Sequence, residues 1–427
     1  MKQVKLIPLN QPVSATIEIP GSKSYTNRAL FMAALTKNSV AIKNPLFSDD
    51  TKAMINCLNK LGIKTIVKQN EIVVVGSWKD VQERKYELDA NLSANVIRFL
   101  LPLLCIVPGE KILQGKEGLN KRPIGELVNG LKQLGASIQY LEKEGFPPLK
   151  ITSSILQTKS VSLKGDISSQ YFSALFMIAP ILGELTIKVE GKQISKPYID
   201  MTIASMKQFG ITVENKNYQT YYIASGQKYN CETYTVEGDF SSAGYFFAIA
   251  ALTKSTFTLN NLNPDSLQAD KKLLPVLEKM GNEITFQKDS ITFVGNEIKP
   301  VSIDMIDFPD QAQTLAVLVA FAQGASKLSG LESLHVKETD RLKATEKELN
   351  KMKIKTQSTY DTVTIEGGKP VAAEIETYGD QRMAMAFAVA GAKISDVLIN
   401  DPDVVNKTFP QFWKKLEEIG IEVKEVG

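Results

Sequence analysis

Two patterns of apolar and polar positions run through the chain, and each occurs six times. The first marks a helix end: apolar positions flank polar ones, a glycine follows, and apolar residues then alternate. It reads LNKLGI at Leu58, LKQLGASI at Leu131, MKQFGITV at Met206, LEKMGNEI at Leu277, LNKMKIKT at Leu349 and LEEIGIEV at Leu416, with successive copies 67 to 75 residues apart. Glycine past a last helical turn enters the left-handed conformation cheaply, and the alternation after it predicts a strand. Five copies obey, and Lys353 replaces glycine in the fifth.

The second pattern, out of phase with the first, is a short polar start followed by a strongly apolar helix. The starts are Ser22, Ser93, Ser168, Ser241, Asp310 and Asp380, spaced by 69 to 75 residues. Two helices and several strands in about seventy residues make a unit too large for a solenoid repeat. We therefore expect six βαβαββ units in an α/β fold. Three such units fill a domain of ordinary size, so the division is expected near VEGDFSS around Glu237. This gives a first domain over residues 20–236 and a second over 237–427, to which residues 1–19 return. Helices such as ALFMAAL, VIRFLLPLLC and MAMAFAVAGA are apolar nearly all round and should be buried, with their polar starts directed at one shared opening. Helix N-termini carry unpaired N–H groups and partial positive charge, so several aimed at one place suit phosphates or carboxylates. The plain reading of any one start is an N-cap; the basic residues beside them favour an anion site.

Composition narrows the field. Lysine and arginine outnumber aspartate and glutamate by 50 to 47, a net charge of +3, so no global field exists for nucleic acid or membrane. Cys57, Cys105 and Cys231 lie far apart, and His335 is the single histidine, which leaves no metal-ligand spacing and fits a reducing compartment. The N-terminus lacks the apolar run of a signal peptide, and the longest apolar stretch, Phe99 to Val107, is too short to span a bilayer. A cytoplasmic protein is expected.

Chemistry-bearing residues gather at the starts. PGSKSYTNRAL sets Lys23, Ser24 and Arg28 within one and a half turns, a pattern suited to phosphate, although no GxxxxGK loop is present. HVKETDRL crowds Lys337, Glu338, Asp340 and Arg341 together, and YGDQRMAM couples Asp380 and Arg382 to an apolar helix. Such charge runs are ordinarily solvated faces. In a desolvated cleft, a lysine beside a glutamate can set up a proton donor instead.

Taken in order, GSKSYTNRALFMAAL, SDDT, KRPIGELV, SSQYFSALFMIAP, SKPYIDMT, IDFPD, VKETDRL, YGDQRMAM and NKTFP resemble the signature segments of the 5-enolpyruvylshikimate-3-phosphate synthase family. The resemblance runs from about Pro20 to Phe409. It implies a two-domain inside-out α/β barrel, three repeats per domain, with buried helices directing their N-termini toward the interdomain cleft. It also implies transfer of the enolpyruvyl group of phosphoenolpyruvate to the 5-hydroxyl of shikimate-3-phosphate, with release of phosphate, by a monomer with no metal or organic cofactor.

By the same resemblance, Lys23 contacts both substrates. Ser24, Arg28, Ser168, Ser169, Gln170, Ser195, Tyr198 and Lys337 belong with shikimate-3-phosphate, and Gln170 also lies near the reacting centre. Ala94, Arg122, Arg341, Arg382 and Lys407 belong with phosphoenolpyruvate; arginine forks suit its carboxylate and phosphate. Asp310 and Glu338 match the carboxylates of the chemistry. We assign Glu338 or Lys23 as proton donor to the methylene carbon and Asp310 as acceptor from the 5-hydroxyl. Lys23, Arg122 and Lys407 would neutralise the departing phosphate.

Three positions depart from the family's pattern. Its Asn-Ala-Gly-Thr-like segment reads Asn91-Leu92-Ser93-Ala94-Asn95 here, its DHR reads Asp380-Gln381-Arg382, and its asparagine before KETDR aligns with Ser333. Two rivals follow. A UDP-sugar enolpyruvyl transferase shares the fold but uses a cysteine-bearing loop near KRPIGELV, where no cysteine occurs between Cys105 and Cys231. A non-catalytic homologue would hold shikimate-3-phosphate while the altered 92–95 segment excludes phosphoenolpyruvate. His335, by its type and place, reads as a surface or packing residue.

Overall fold

The computed structural model describes residues 2–426, and the alternating stretches form six four-stranded sheets among them. One plan serves all six. In the sheet formed by Lys85–Asp89, Glu110–Gln114, Leu149–Thr152 and Ser137–Tyr140, the first two strands are parallel, with Lys85 opposite Glu110. The remaining pairs are antiparallel. Parallel strands need a crossover rather than a hairpin, and the apolar helix Ala94–Ile106 supplies it. The helix Gly125–Gln133, apolar on one side only, then leads into the hairpin that completes the repeat.

The chain forms two compact units, Gly21–Val236 and Met1–Pro20 with Glu237–Gly427, each holding three sheets. Met1 and Gly427, the outer limits of the expected domains, lie outside the described residues. Late and early strands fill gaps in the repeats. Thr233–Thr235 pairs in parallel with Val40–Lys43 and completes the first repeat. Ser14–Glu18 pairs in parallel with Thr256–Asn260, while Gln3–Ile7 lies between Val397–Asn400 and Glu422–Val426. The N-terminal strands therefore complete the fourth and sixth repeats.

The apolar helices make the cores. Lys23–Leu35, Ala94–Ile106 and Ser169–Leu182 serve one unit, and Phe240–Thr253, Ala312–Val319 and Gln381–Gly391 the other. Having no polar side, such a helix buries all of its circumference; Ala29 through Ala34 have 0% exposure. Each leucine or phenylalanine withdrawn in this way contributes about 1.5–3 kcal/mol before chain entropy is counted. The outer helices stop where the pattern says. Gly62, Gly135, Gly210, Gly281 and Gly420 all take positive φ, and Lys353 takes φ 62° at the equivalent place.

Two starts differ from the sequence expectation. The fourth apolar helix is capped by Asp239, whose carboxylate accepts the Ser242 N–H at 2.9 Å, so Ser241 sits inside the first turn. Asp239 is fixed there because its own N–H donates to the Pro20 carbonyl at 2.9 Å. Asp310 lies in the short 3-10 turn Pro309–Gln311, and the α-helix begins at Ala312.

Candidate active site

In the unit Gly21–Val236, the predicted residues collect at the N-terminal ends of helices. Lys23 opens its helix, and its Nζ lies 3.3 Å from Asp50, a carboxylate with only 4% of its side chain exposed. One turn on, Arg28 is fully enclosed at 1% exposure. Its guanidinium donates to Thr202 Oγ1 at 2.8 Å and to the Ser24 carbonyl at 3.0 Å. It reaches Ser173 Oγ and the Tyr198 carbonyl at 3.5 Å, and lies over the Phe99 ring. Burial lowers its pKa to about 10. Arg28 thus fixes the backbones of Ser24 and Tyr198, two other predicted residues, through hydroxyls and carbonyls.

Ser168 caps the Ser169–Leu182 helix by accepting the Gln170 N–H at 3.3 Å, and Ser169 is buried behind it. Ser195 caps Lys196–Gln208 from a left-handed conformation, with its carbonyl accepting the Tyr198 N–H at 3.1 Å. Ala94 is the first residue of its helix and is buried. Arg122 follows the short helix Glu117–Asn120, its N–H tied to the Leu119 carbonyl at 2.9 Å. Several polar atoms at these helix starts, Ser22 Oγ, Ser93 Oγ and both amide atoms of Asn27, are buried with no hydrogen-bond partner among the described residues. Buried polar atoms ordinarily find partners, so these mark a surface shaped for something polar.

The sequence reading missed Arg98. It donates to Gln170 Oε1 at 3.0 Å, to Ser168 Oγ at 3.5 Å and to the Pro123 carbonyl at 3.3 Å, and its guanidinium lies over Tyr171. The signal was present: an arginine in the run VIRFLLPLLC is a buried charge that demands partners.

In the other unit, the predicted residues form one interlocked charge network. Arg341 has 2% of its side chain exposed and meets three carboxylates, Asp380 at 2.7 Å, Glu338 at 2.7 Å and Asp310 at 2.9 Å. Burial alone would depress its pKa, but Asp380, Glu338 and Asp310 hold it above arginine's ordinary value. Arg382 binds the second Asp310 oxygen at 3.0 Å and also donates to Ser241 Oγ and Tyr245 Oη. Lys407 pairs with Glu338, and Lys337 Nζ stands 3.8 Å from Asp310. Asp380 serves twice, since its Oδ1 also accepts the Arg382 N–H at 2.8 Å.

Asp270, which the sequence reading did not single out, accepts from Ser241 Oγ. Burial raises its pKa to about 7, with Arg382 pulling the other way and Asp310 adding to the rise. Two carboxylates of this unit, Asp310 and Glu338, therefore lie on one guanidinium with further cations on each. Such an arrangement can hold an anion and move a proton. Among the described residues no group of three or more His, Cys, Asp or Glu is placed to hold a metal, and no helix is long and apolar enough to cross a membrane.

Comparison with known proteins agrees with this geometry. Residues 8–416 match the family model for EPSP synthase (3-phosphoshikimate 1-carboxyvinyltransferase). The chain is 39% identical to the Vibrio atlanticus protein named 3-phosphoshikimate 1-carboxyvinyltransferase, over 99% of this chain and 100% of that one. It is 40% identical to the protein of that name from Shewanella sediminis, over 97% of this chain and 99% of the relative. The solved EPSP synthase of Acinetobacter baumannii has the same fold, with a TM-score of 0.84 at 23% identity and full coverage of both chains. The six-repeat, two-domain inside-out α/β architecture is therefore established, and the chain belongs to the EPSP synthase family.

Proposed function

We propose that the chain transfers the enolpyruvyl group of phosphoenolpyruvate to the 5-hydroxyl of shikimate-3-phosphate and releases phosphate, a step of the shikimate pathway. The observation that carries this reading is the pair of carboxylates, Asp310 and Glu338, held on the single guanidinium of Arg341. The reaction needs an acid and a base together. Phosphoenolpyruvate becomes electrophilic at its second carbon once its methylene carbon is protonated, and the attacking hydroxyl must then lose its proton. In this reading Glu338, which pairs with Lys407, hands on a proton, and Asp310 accepts one.

The other roles follow residue type. Ser24, Ser168, Ser169, Ser195 and Tyr198 offer hydroxyls, and Arg28 and Lys337 positive charge, to shikimate-3-phosphate. Arg122, Arg341, Arg382 and Lys407 suit the carboxylate and phosphate of phosphoenolpyruvate, with Ala94 and Gln170 beside it. Lys23 offsets charge on both substrates and on the tetrahedral adduct as phosphate leaves. Fixed cations supply the stabilisation, so the reading requires no metal or organic cofactor. Burial pushes the Cys57 and Cys105 thiols up to about 12, and Cys231 is also free; unreactive, unpaired thiols support a cytoplasmic setting. We take the working form to be the monomer.

Phosphate release with both substrates present is the direct test. Turnover that requires shikimate-3-phosphate supports the proposal. Binding of shikimate-3-phosphate with no release at millimolar phosphoenolpyruvate would replace it with a non-catalytic binding protein.

A further inference from the structure

We propose that His335 is a positioning residue: as the imidazolium, it clasps Asp340 to the turn at Tyr360 and so holds the loop that carries Lys337 and Glu338. The inference builds on the roles proposed above for Glu338 and Arg341. Its basis is geometric. His335 Nδ1 lies 2.9 Å from Asp340 Oδ2, and Nε2 lies 2.7 Å from the Tyr360 carbonyl oxygen. The ring stacks on that of Tyr360, with centroids 5.2 Å apart and planes inclined by 17°.

Both facing atoms are acceptors. A neutral imidazole carries one N–H and can satisfy only one of them, whereas the imidazolium donates to both. The clasp is therefore complete only when His335 is protonated. It closes a short loop, because His335 lies in the last turn of the 3-10 segment Glu332–Val336 and Asp340 caps the helix Arg341–Lys351. Lys337 and Glu338 lie between those anchors. Asp340 cannot shift freely, since its Oδ1 accepts the Lys343 N–H at 3.1 Å at the helix start from which Arg341 reaches its three carboxylates.

The groups facing the imidazole are Asp340, the Tyr360 carbonyl and ring, and Lys343, whose ammonium is drawn off to Glu346 at 3.0 Å. Burial lowers the His335 pKa, but the bonds to Asp340 and Tyr360 outweigh it and leave the value above 6.5. A raised histidine pKa means that the clasp is fully present below 6.5 and is lost as pH climbs through the folded value.

The test uses the untagged protein, in which the single histidine gives one imidazole resonance. In the ligand-free protein it should titrate above 6.5, and Asp340→Asn should lower that value. Kinetically, His335→Gln should reduce kcat/KM for phosphoenolpyruvate about five- to tenfold at pH 6 and by less than about twofold once pH is well above the midpoint at which the His335 resonance titrates. His335→Arg keeps two donors and a fixed charge, so it should hold kcat/KM near the native value at pH 6 and remove the histidine-dependent fall at higher pH. A resonance that titrates at or below 6.5, or that ignores Asp340→Asn, overturns the clasp. Equal, pH-independent losses in both variants overturn its positioning role. Absence of turnover in the native protein defeats the proposed function instead; the clasp is then decided by amide exchange over residues 336–339. Protection that falls as pH passes the His335 pKa, after correction for intrinsic exchange and relative to His335→Arg, supports it, and unchanged protection removes it.

Discussion

Arg341 and Arg28 are both enclosed arginines at helix starts, and the two units treat them in opposite ways. Arg341 is answered by three carboxylates of its own unit, Asp310, Glu338 and Asp380. Arg28 is answered by hydroxyls, carbonyls and an aromatic face, with no carboxylate paired to it among the described residues. A buried charge is costly unless it is paired. The first arrangement therefore completes itself, and its cation fixes the position of acids and bases. The second keeps positive charge in reserve, with a depressed pKa as the sign of incomplete compensation, which suits a residue whose counter-ion is a substrate. On the proposed roles, Arg341 positions proton-transfer groups as well as facing phosphoenolpyruvate, whereas Arg28 waits for the anion of shikimate-3-phosphate.

The sharpest way to break that contrast is to remove each guanidinium in turn. Arg341→Met leaves three carboxylates, one of them with 0% of its side chain exposed, without their common cation. We expect a loss of about 3–5 kcal/mol in urea unfolding. Arg28→Met strands only neutral acceptors, two of which, Ser173 and Thr202, already bond each other at 2.8 Å. Its loss should be about 1–2 kcal/mol, with shikimate-3-phosphate affinity as the main casualty. Equal destabilisation by the two substitutions would mean that the units do not differ in the way argued.

Lys23 tests the same contrast at its intermediate case, a candidate substrate cation that nevertheless lies 3.3 Å from a buried carboxylate. Lys23→Met should reduce phosphate release by about 10²- to 10³-fold with the circular dichroism spectrum unchanged. Stability should also fall, because Asp50 loses its neighbouring ammonium. Asp50→Asn added to Lys23→Met should restore the stability and leave turnover low. Recovery of turnover in the double variant would show that Lys23 acts through Asp50 and not on the substrates.

How far these arrangements could be read from the sequence depends on the range of the interactions. The repeats and the buried helices were legible because local periodicity sets them: a helix apolar on all sides has to be interior. Lys23, Arg341 and Arg382 were legible because motif order placed them. Arg98 was legible in principle, as a lone arginine in an apolar run, but its link to Gln170 was not, since 72 residues separate them. Asp270 gave no local signal at all; its environment is built from Ser241, 29 residues earlier in the same repeat, and from Arg382 and Asp310 of other repeats. The start at Ser241 was misplaced because Asp239 and Ser241 are both good caps, and a contact with Pro20 decides between them.

Ala94 bears on the anion-receiving side of the contrast with a smaller effect. It opens the Ala94–Ile106 helix at 5% exposure; by the resemblance it stands where the family's pattern has glycine, and on the proposed assignment its methyl group would narrow the place of phosphoenolpyruvate. Glyphosate resembles that substrate but is longer, so the methyl should obstruct the inhibitor more. A clash of this size is worth about 1–3 kcal/mol, or roughly ten- to hundredfold in affinity. Ala94→Gly should tighten glyphosate inhibition by that factor while changing KM for phosphoenolpyruvate less. Inhibition of the native protein at micromolar glyphosate, with no gain in the variant, would remove Ala94 from the pocket.

The smallest effect concerns a place where the two units ought to agree. Five outer helices end on a glycine with positive φ; in the unit Glu237–Gly427, the fifth ends on Lys353 at φ 62°. A side chain in the left-handed region crowds the neighbouring carbonyl, and the strain is relieved if the Cβ is removed. Glycine also widens the unfolded ensemble, which works against the substitution. Strain relief should win, because the backbone at this position is already fixed by the Lys353 N–H donating to Asn350 and the Ile354 N–H donating to Leu349. Lys353→Gly should stabilise the chain by about 0.5–1 kcal/mol, read as a rise in Tm of roughly one or two degrees with phosphate release unchanged. The reverse substitution at Gly281, which occupies the same place in the preceding repeat at φ 112°, should destabilise by more, since a φ that far from the left-handed minimum is harder for any side chain to adopt. If Lys353→Gly lowers Tm instead, Lys353 contributes through its side chain, and the fifth repeat departs from the others by more than one residue of backbone strain.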